Sequence, residues 1–278
     1  MLEYIIEPQD LLIDLDDPDL VILEAGFTLP GMTNDLDDFR DFFIPHARFF
    51  NIEAIADHDN PLPHMVPNAA DFAKAVGELG VNNDSTIVCY DRFGLFSAGR
   101  VWWMFRLFGH KKVLILNGGL KRWIQLKYPL TQTHHRTVRP TTYHAAFDQA
   151  LYAAKEDVYT AIDDPKATIV DARPAIRFVG SAAEPRAGMR SGHMPSALNI
   201  CYQDLVDAET GMLKDKTDLE ALFSDVPKDT TITFSCGSGI TAAAVLFVAE
   251  MLGYHGRVYD GSWAEWGSCP DTPIEHGV

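Results

Sequence analysis

Positive charge is what this 278-residue chain has least of: 23 lysines and arginines stand against 39 aspartates and glutamates, a formal net charge of −16. So one-sided a balance repels polyanions, which excludes nucleic acid and anionic membranes as partners. No apolar run approaches the roughly 18 residues that a membrane-crossing helix needs. The opening Met1-Leu2-Glu3-Tyr4 lacks a basic and apolar leader pattern, and the expectation is a cytoplasmic protein. Cysteine is scarce too: Cys89, Cys201, Cys236 and Cys269 lie far apart, with no Cys-x-x-Cys pair. That spacing argues against a disulfide framework or a zinc site, and no metal or cofactor is expected.

What is present is the composition of a globular protein, 47% hydrophobic and 22% charged, with length enough for two domains that each bury a core. The most informative stretch is residues 230–254. Thr231-Ile232-Thr233-Phe234 is β-branched and apolar, as a buried strand requires. Cys236-Gly237-Ser238-Gly239-Ile240-Thr241 reads as a tight turn, and residues 242–252 are alanine-rich and helix-favouring. In open α/β sheets ligands bind where strands run out into loops at their carboxyl ends. Two glycines around a serine let successive N–H groups point inward, and the helix adds its unpaired first amides. Such a cup suits an anion carried on the cysteine.

The rest of the chain alternates strands with helices, which predicts parallel sheets covered by helices on both faces. In the first half the strands are Leu20-Val21-Ile22-Leu23-Glu24, Arg48-Phe49-Phe50-Asn51-Ile52, Ile87-Val88-Cys89-Tyr90 and Val113-Leu114-Ile115-Leu116, with helices over residues 69–79 and 97–108. The pattern then repeats. Val88-Cys89-Tyr90-Asp91, a loop, a helix ending at Gly109 and Gly118-Gly119-Leu120-Lys121-Arg122-Trp123 parallel Phe234-Ser235-Cys236, its loop, a helix ending near Gly253 and residues 261–266. The expected organisation is a domain over residues 1–130, a connection over 131–150 and a second domain over 151–278. In this register Asp91 occupies the place of Cys236 and brings no thiol, so the first copy is expected to be inactive. Cys89 reads as core. The pair His134-His135 in the connection, without further ligands nearby, reads as solvated.

The cysteine loop, with Tyr259-Asp260-Gly261-Ser262-Trp263-Ala264-Glu265-Trp266 after it, resembles the active-site half of tandem-rhodanese sulfurtransferases, in particular their mercaptopyruvate branch. The resemblance covers nearly the whole chain. It implies two rhodanese-like α/β domains and a Cys236 that carries sulfur as a persulfide. Ile176-Arg177-Phe178 followed by Glu184-Pro185-Arg186 is similar to the family's substrate-binding pair, which assigns a small anionic donor to Arg177 and Arg186. Planar guanidinium forks suit a carboxylate. Gly237, Gly239, Ile240 and Thr241 would supply amides to the sulfur. Glu53, His64 and Ser238 match a serine, histidine and acid proton relay of the mercaptopyruvate branch, although that branch commonly has Asp where Glu53 stands. Arg173 and Arg190 are read as structural. His193 aligns with Phe43, a place that accepts phenylalanine, and is read as architectural, while Cys201 is expected to be buried.

The expected reaction moves sulfur from 3-mercaptopyruvate through Cys236 to a thiol such as thioredoxin, or to cyanide. Three alternatives stand beside it. Thiosulfate as donor is one, but family members that use it carry basic side chains after the cysteine, where this chain has Gly237 and Ser238. A cysteine phosphatase would need Cys-x5-Arg, and position 242 is Ala242. A non-catalytic persulfide carrier would have no use for two arginines suited to a small carboxylate.

Overall fold

The computed structural model describes residues 4–27, 36–134 and 138–277. Two compact units are present, one made of residues 1–57, 66–148 and 206–213, the other of residues 58–65, 149–205 and 214–278. Each is thus built from most of one half of the chain plus a short segment of the other half.

In the first unit the elements run β1 (Ile5–Ile6), α1 (Pro8–Ile13), β2 (Leu20–Gly26), β3 (Arg48–Asn51), α2 (Ala69–Glu78), β4 (Thr86–Tyr90), α3 (Ala98–Leu107), β5 (Val113–Leu116) and α4 (Gly119–Gln125). The strands form a sheet of order β1-β5-β4-β2-β3, parallel throughout. Side chains alternate across a strand. Ile22, Val88 and Tyr90 therefore turn to one face, where they pack with Leu11 of α1 and Leu120 and Trp123 of α4. Their strand neighbours face α3, which is buried along nearly its whole length.

The second unit contains β6 (Tyr152–Ala153), α5 (Lys155–Ile162), β7 (Ala167–Asp171), α6 (Ala175–Phe178), β8 (Leu198–Asn199), α7 (Lys216–Leu222), β9 (Thr231–Ser235), α8 (Ile240–Met251), β10 (Gly256–Tyr259) and α9 (Ser262–Trp266). Its sheet order, β6-β10-β9-β7-β8, is the first order with five added to every strand number. The strand registers repeat as well: Glu24 pairs with Tyr90 as Asp171 pairs with Ser235, which puts Asp91 and Cys236 at equivalent positions. Phe43 and His193 also correspond, each forming an isolated antiparallel bridge, to Thr131 and to Glu275.

Three expectations change in detail. The helix after the cysteine begins at Ile240 rather than Ala242, because Gly239 adopts the left-handed conformation (φ 76°) and ends the turn at once. Cys201 is half-buried rather than buried, since the strand before it is only two residues long. His134 is not solvated: it hydrogen-bonds buried Glu24 at 2.5 Å and its ring lies 3.7 Å from that of Phe43, while His135 lies outside the described residues. Among the described residues no helix is long and apolar enough to cross a membrane, and no group of three histidine, cysteine or acidic side chains is placed to hold a metal.

Candidate active site

Strand β9 delivers Cys236 to the carboxyl edge of the second sheet, and α8 leaves immediately after the loop. Residues 240–249 of that helix are all buried. A helix that is apolar all round has to be enclosed, and α8 packs on β9, β10 and the turn at Tyr202–Leu205. The loop therefore stands on a fixed base. Cys236 is 2% exposed, and Ser238 and Thr241 are buried.

A residue to which the sequence reading gave no role, Ser262, holds this loop closed. Its Oγ accepts hydrogen bonds from the amides of Cys236 and Gly239, both at 3.1 Å, and donates to the carbonyl of Tyr259 at 2.8 Å. The carbonyls of Cys236 and Gly237 accept from the amides of Trp263 and Ala264 at 3.0 and 2.9 Å. The Gly239 amide is thereby occupied, so it does not belong to the cradle expected for sulfur.

The other copy holds an anion at the equivalent position, in a loop three residues longer. In the first unit the Asp91 carboxylate takes the Phe93 amide on Oδ1 at 2.8 Å, and those of Phe96, Ser97 and Ala98 on Oδ2 at 2.6, 2.8 and 2.8 Å. An anion at the strand's end is thus wrapped by the loop and the first turn of the helix, an arrangement that suits negative charge.

The unit that holds Cys236 also holds the arginines singled out in the sequence. Arg173, 1% exposed, binds Asp171, reaches Glu184 at 2.9 Å and the Gly192 carbonyl at 2.8 Å, and lies 4.1 Å over the ring of Trp263. Burial works against its charge, but Asp171 and Glu184 outweigh burial and hold its pKa above the ordinary value. Glu184, whose side chain is fully buried, also binds Arg177 through both of its oxygens. Arg177 is thereby aimed at the loop: its Nη2 lies 3.3 Å from where a Cβ on Gly237 would stand. Arg186 donates to Nε2 of His64 at 3.2 Å. A guanidinium can only donate, so this nitrogen of His64 accepts and its proton is on Nδ1. His64 is buried and has a left-handed backbone (φ 60°), a conformation that is costly outside glycine.

Residues 5–126 and 154–269 each match the model of the rhodanese-like domain. The chain belongs to the rhodanese-like family. Among relatives of this rhodanese-like chain, the 3-mercaptopyruvate sulfurtransferase of Escherichia coli K12 is 43% identical over 94% of both chains. The human protein of that name is 37% identical over 93% of this chain and 89% of its own. A thiosulfate sulfurtransferase of Cricetulus griseus is 35% identical over 94% and 90%. The crystal structure of SseA from E. coli, described as a 3-mercaptopyruvate sulfotransferase, superposes with a TM-score of 0.83 at 40% identity, covering 94% of this chain and 98% of that one.

Within this rhodanese-like chain Cys236, Ser238, His64, Arg177 and Arg186 all belong to the second unit, while Glu53 belongs to the first, where it is exposed just beyond β3. Arg190 binds the carbonyls of Trp266, Gly267, Cys269 and Thr272 around the end of α9. His193 stacks on Phe178 with ring centroids 3.8 Å apart and bonds its carbonyl at 2.8 Å. Cys89 and Cys201 both have their thiol pKa pushed up by burial. Ser262 and Glu184 stood inside the two motifs that carried the resemblance, and a small hydroxyl residue after a glycine and an acid between two arginines were the available signals.

Proposed function

We propose that the protein is a sulfurtransferase that takes sulfur from 3-mercaptopyruvate onto Cys236 and passes it to a thiol or to cyanide. The Cys236 thiolate attacks the sulfur of the donor; the new S–S bond forms as the donor's C–S bond breaks, and that bond's electron pair leaves on carbon as the enolate of pyruvate. A proton completes pyruvate, and the hydroxyl of Ser238, two residues after the cysteine, is the group we assign to relay it, with His64 as a titratable group of the same unit. The free amides of the cup stabilise the persulfide anion until an acceptor thiolate attacks the outer sulfur and releases Cys236. The first unit, with Asp91 in the nucleophile's place, takes no sulfur.

The observation that carries this reading is the position of Arg177 directly beside Gly237. A guanidinium fixed by Glu184 over a neutral loop offers one cationic fork to the carboxylate of a monoanionic donor. A sulfite-bearing dianion would find no basic side chain within the loop itself. The nucleic-acid and membrane exclusions stand on net charge, and a thioredoxin-like acceptor is the thiol partner we propose.

A side-by-side assay tests the proposal: pyruvate release from mercaptopyruvate is expected to exceed sulfite release from thiosulfate, and the resting enzyme treated with donor is expected to gain about 32 Da on Cys236. Faster turnover of thiosulfate would overturn the donor assignment. Unchanged turnover of free mercaptopyruvate by Arg177→Gly would favour a persulfide carrier instead.

A further inference from the structure

The first unit has a cavity of about 380 Å³ at the carboxyl edge of its sheet, where the second unit has its cysteine. It is open for a stated reason. The strand registers make Gly26 the counterpart of Arg173 and Phe49 that of Asn199. In the second unit Arg173 fills the mouth of the sheet. In the first a glycine stands there, so close beneath the Phe49 ring that a methyl group would collide with it. The result is a hollow walled by Phe27, Phe43, Phe49 and Phe93.

Its polar groups sort by what they still have to give. Asp91 spends both oxygens on backbone amides. Glu24 is taken at one oxygen by Arg92 at 2.9 Å and at the other by His134 at 2.5 Å. Arg92 uses its remaining nitrogens on the carbonyls of Phe39 and Phe42. The Asn51 Oδ1 accepts the amides of Glu53 and Ala54, which leaves its Nδ2 hydrogens to donate. Arg40 is exposed at the rim with no ion-pair partner among the described side chains, and Glu53 is exposed on the same rim. The inner acids are therefore satisfied, and Arg40 and Asn51 are the donors that remain, set among aromatic faces with the exposed Glu53 carboxylate at the outer rim.

We propose that this hollow is a second binding site, for a small organic anion with a flat apolar body, an aryl carboxylate. The ring lies among the phenylalanines and the carboxylate meets Arg40 and Asn51. The volume is at the small end of ligand pockets.

The test is calorimetric titration of the full chain with phenylacetate, with acetate and benzylamine as companions. Phenylacetate is expected to bind, acetate to bind much more weakly for want of a ring, and benzylamine not to bind. Arg40→Ala is expected to weaken phenylacetate about tenfold, the effect of losing a charged hydrogen bond, and Arg177→Ala to leave it unchanged; sulfur transfer by Arg40→Ala stays at the parent rate and shows that the variant is folded. Preference for benzylamine, or no binding of phenylacetate at all, would overturn the proposal. So would a loss of phenylacetate binding in Arg177→Ala with none in Arg40→Ala, which would place the anion at the catalytic cysteine.

Discussion

The hydroxyl of Ser262 accepts the amide of Cys236 at 3.1 Å, so that the backbone of the proposed nucleophile is held by a residue 26 positions away. The same oxygen holds Gly239. Ser262→Ala removes a hydrogen bond from each of two buried amides, and each such loss costs about 1–3 kcal/mol. A fall in the thermal midpoint together with a lower kcat, and a smaller change in KM, is expected. Thermal unfolding and steady-state pyruvate release measure both.

Glu184 is the shared partner of Arg173 and Arg177. Removing one member of a buried charge network is costly, up to about 3–5 kcal/mol; here Arg173 keeps Asp171, while Arg177 loses the carboxylate that binds it. Glu184→Ala is expected to lose stability on that scale and to raise KM for mercaptopyruvate as Arg177 loses its direction. A variant with unchanged KM would show that Arg177 needs no such support.

Asp91 anchors four amides in the first unit, at the place Cys236 holds in the second. Asp91→Ala is expected to destabilise the protein by about 3 kcal/mol, while turnover per folded molecule remains near the parent value. Denaturant unfolding and kcat measured well below the unfolding midpoint separate the two effects.

His110 is buried and bonded to the Ser85 carbonyl, and burial lowers its pKa in the folded protein. The unfolded chain therefore binds a proton near the ordinary histidine value of about 6.5 before the folded chain does. Stability from this group is full above that pH and declines as the pH falls below it. Urea midpoints at pH 7.5 and 5.5 are expected to differ less in His110→Gln than in the parent.

Cys236→Ser is expected to abolish sulfur transfer and the persulfide mass gain while leaving the fold intact, since oxygen fills the place of sulfur but cannot accept it. Mass spectrometry after donor treatment and circular dichroism decide it. Residual persulfide on another cysteine would redirect the assignment.

Sequence by itself determined the local elements and the duplication, because both depend on short-range patterns: β-branched strands, an alanine-rich helix, and glycines that permit the turn after Cys236. It also brought out the arginines, since they stand together in a chain poor in positive charge. Tertiary structure decided what those residues bind. Arg173 and Arg177 share Glu184, Ser262 closes the cysteine loop, and His64 joins the second unit to meet Arg186. The last is a pairing of residues 122 positions apart. Hydrogen bonds and ion pairs depend on ångström separations, and periodicity along the chain carries no record of them. The same limit explains His134, whose place against Glu24 and Phe43 depends on the chain's return to the first sheet rather than on its polar neighbours in sequence.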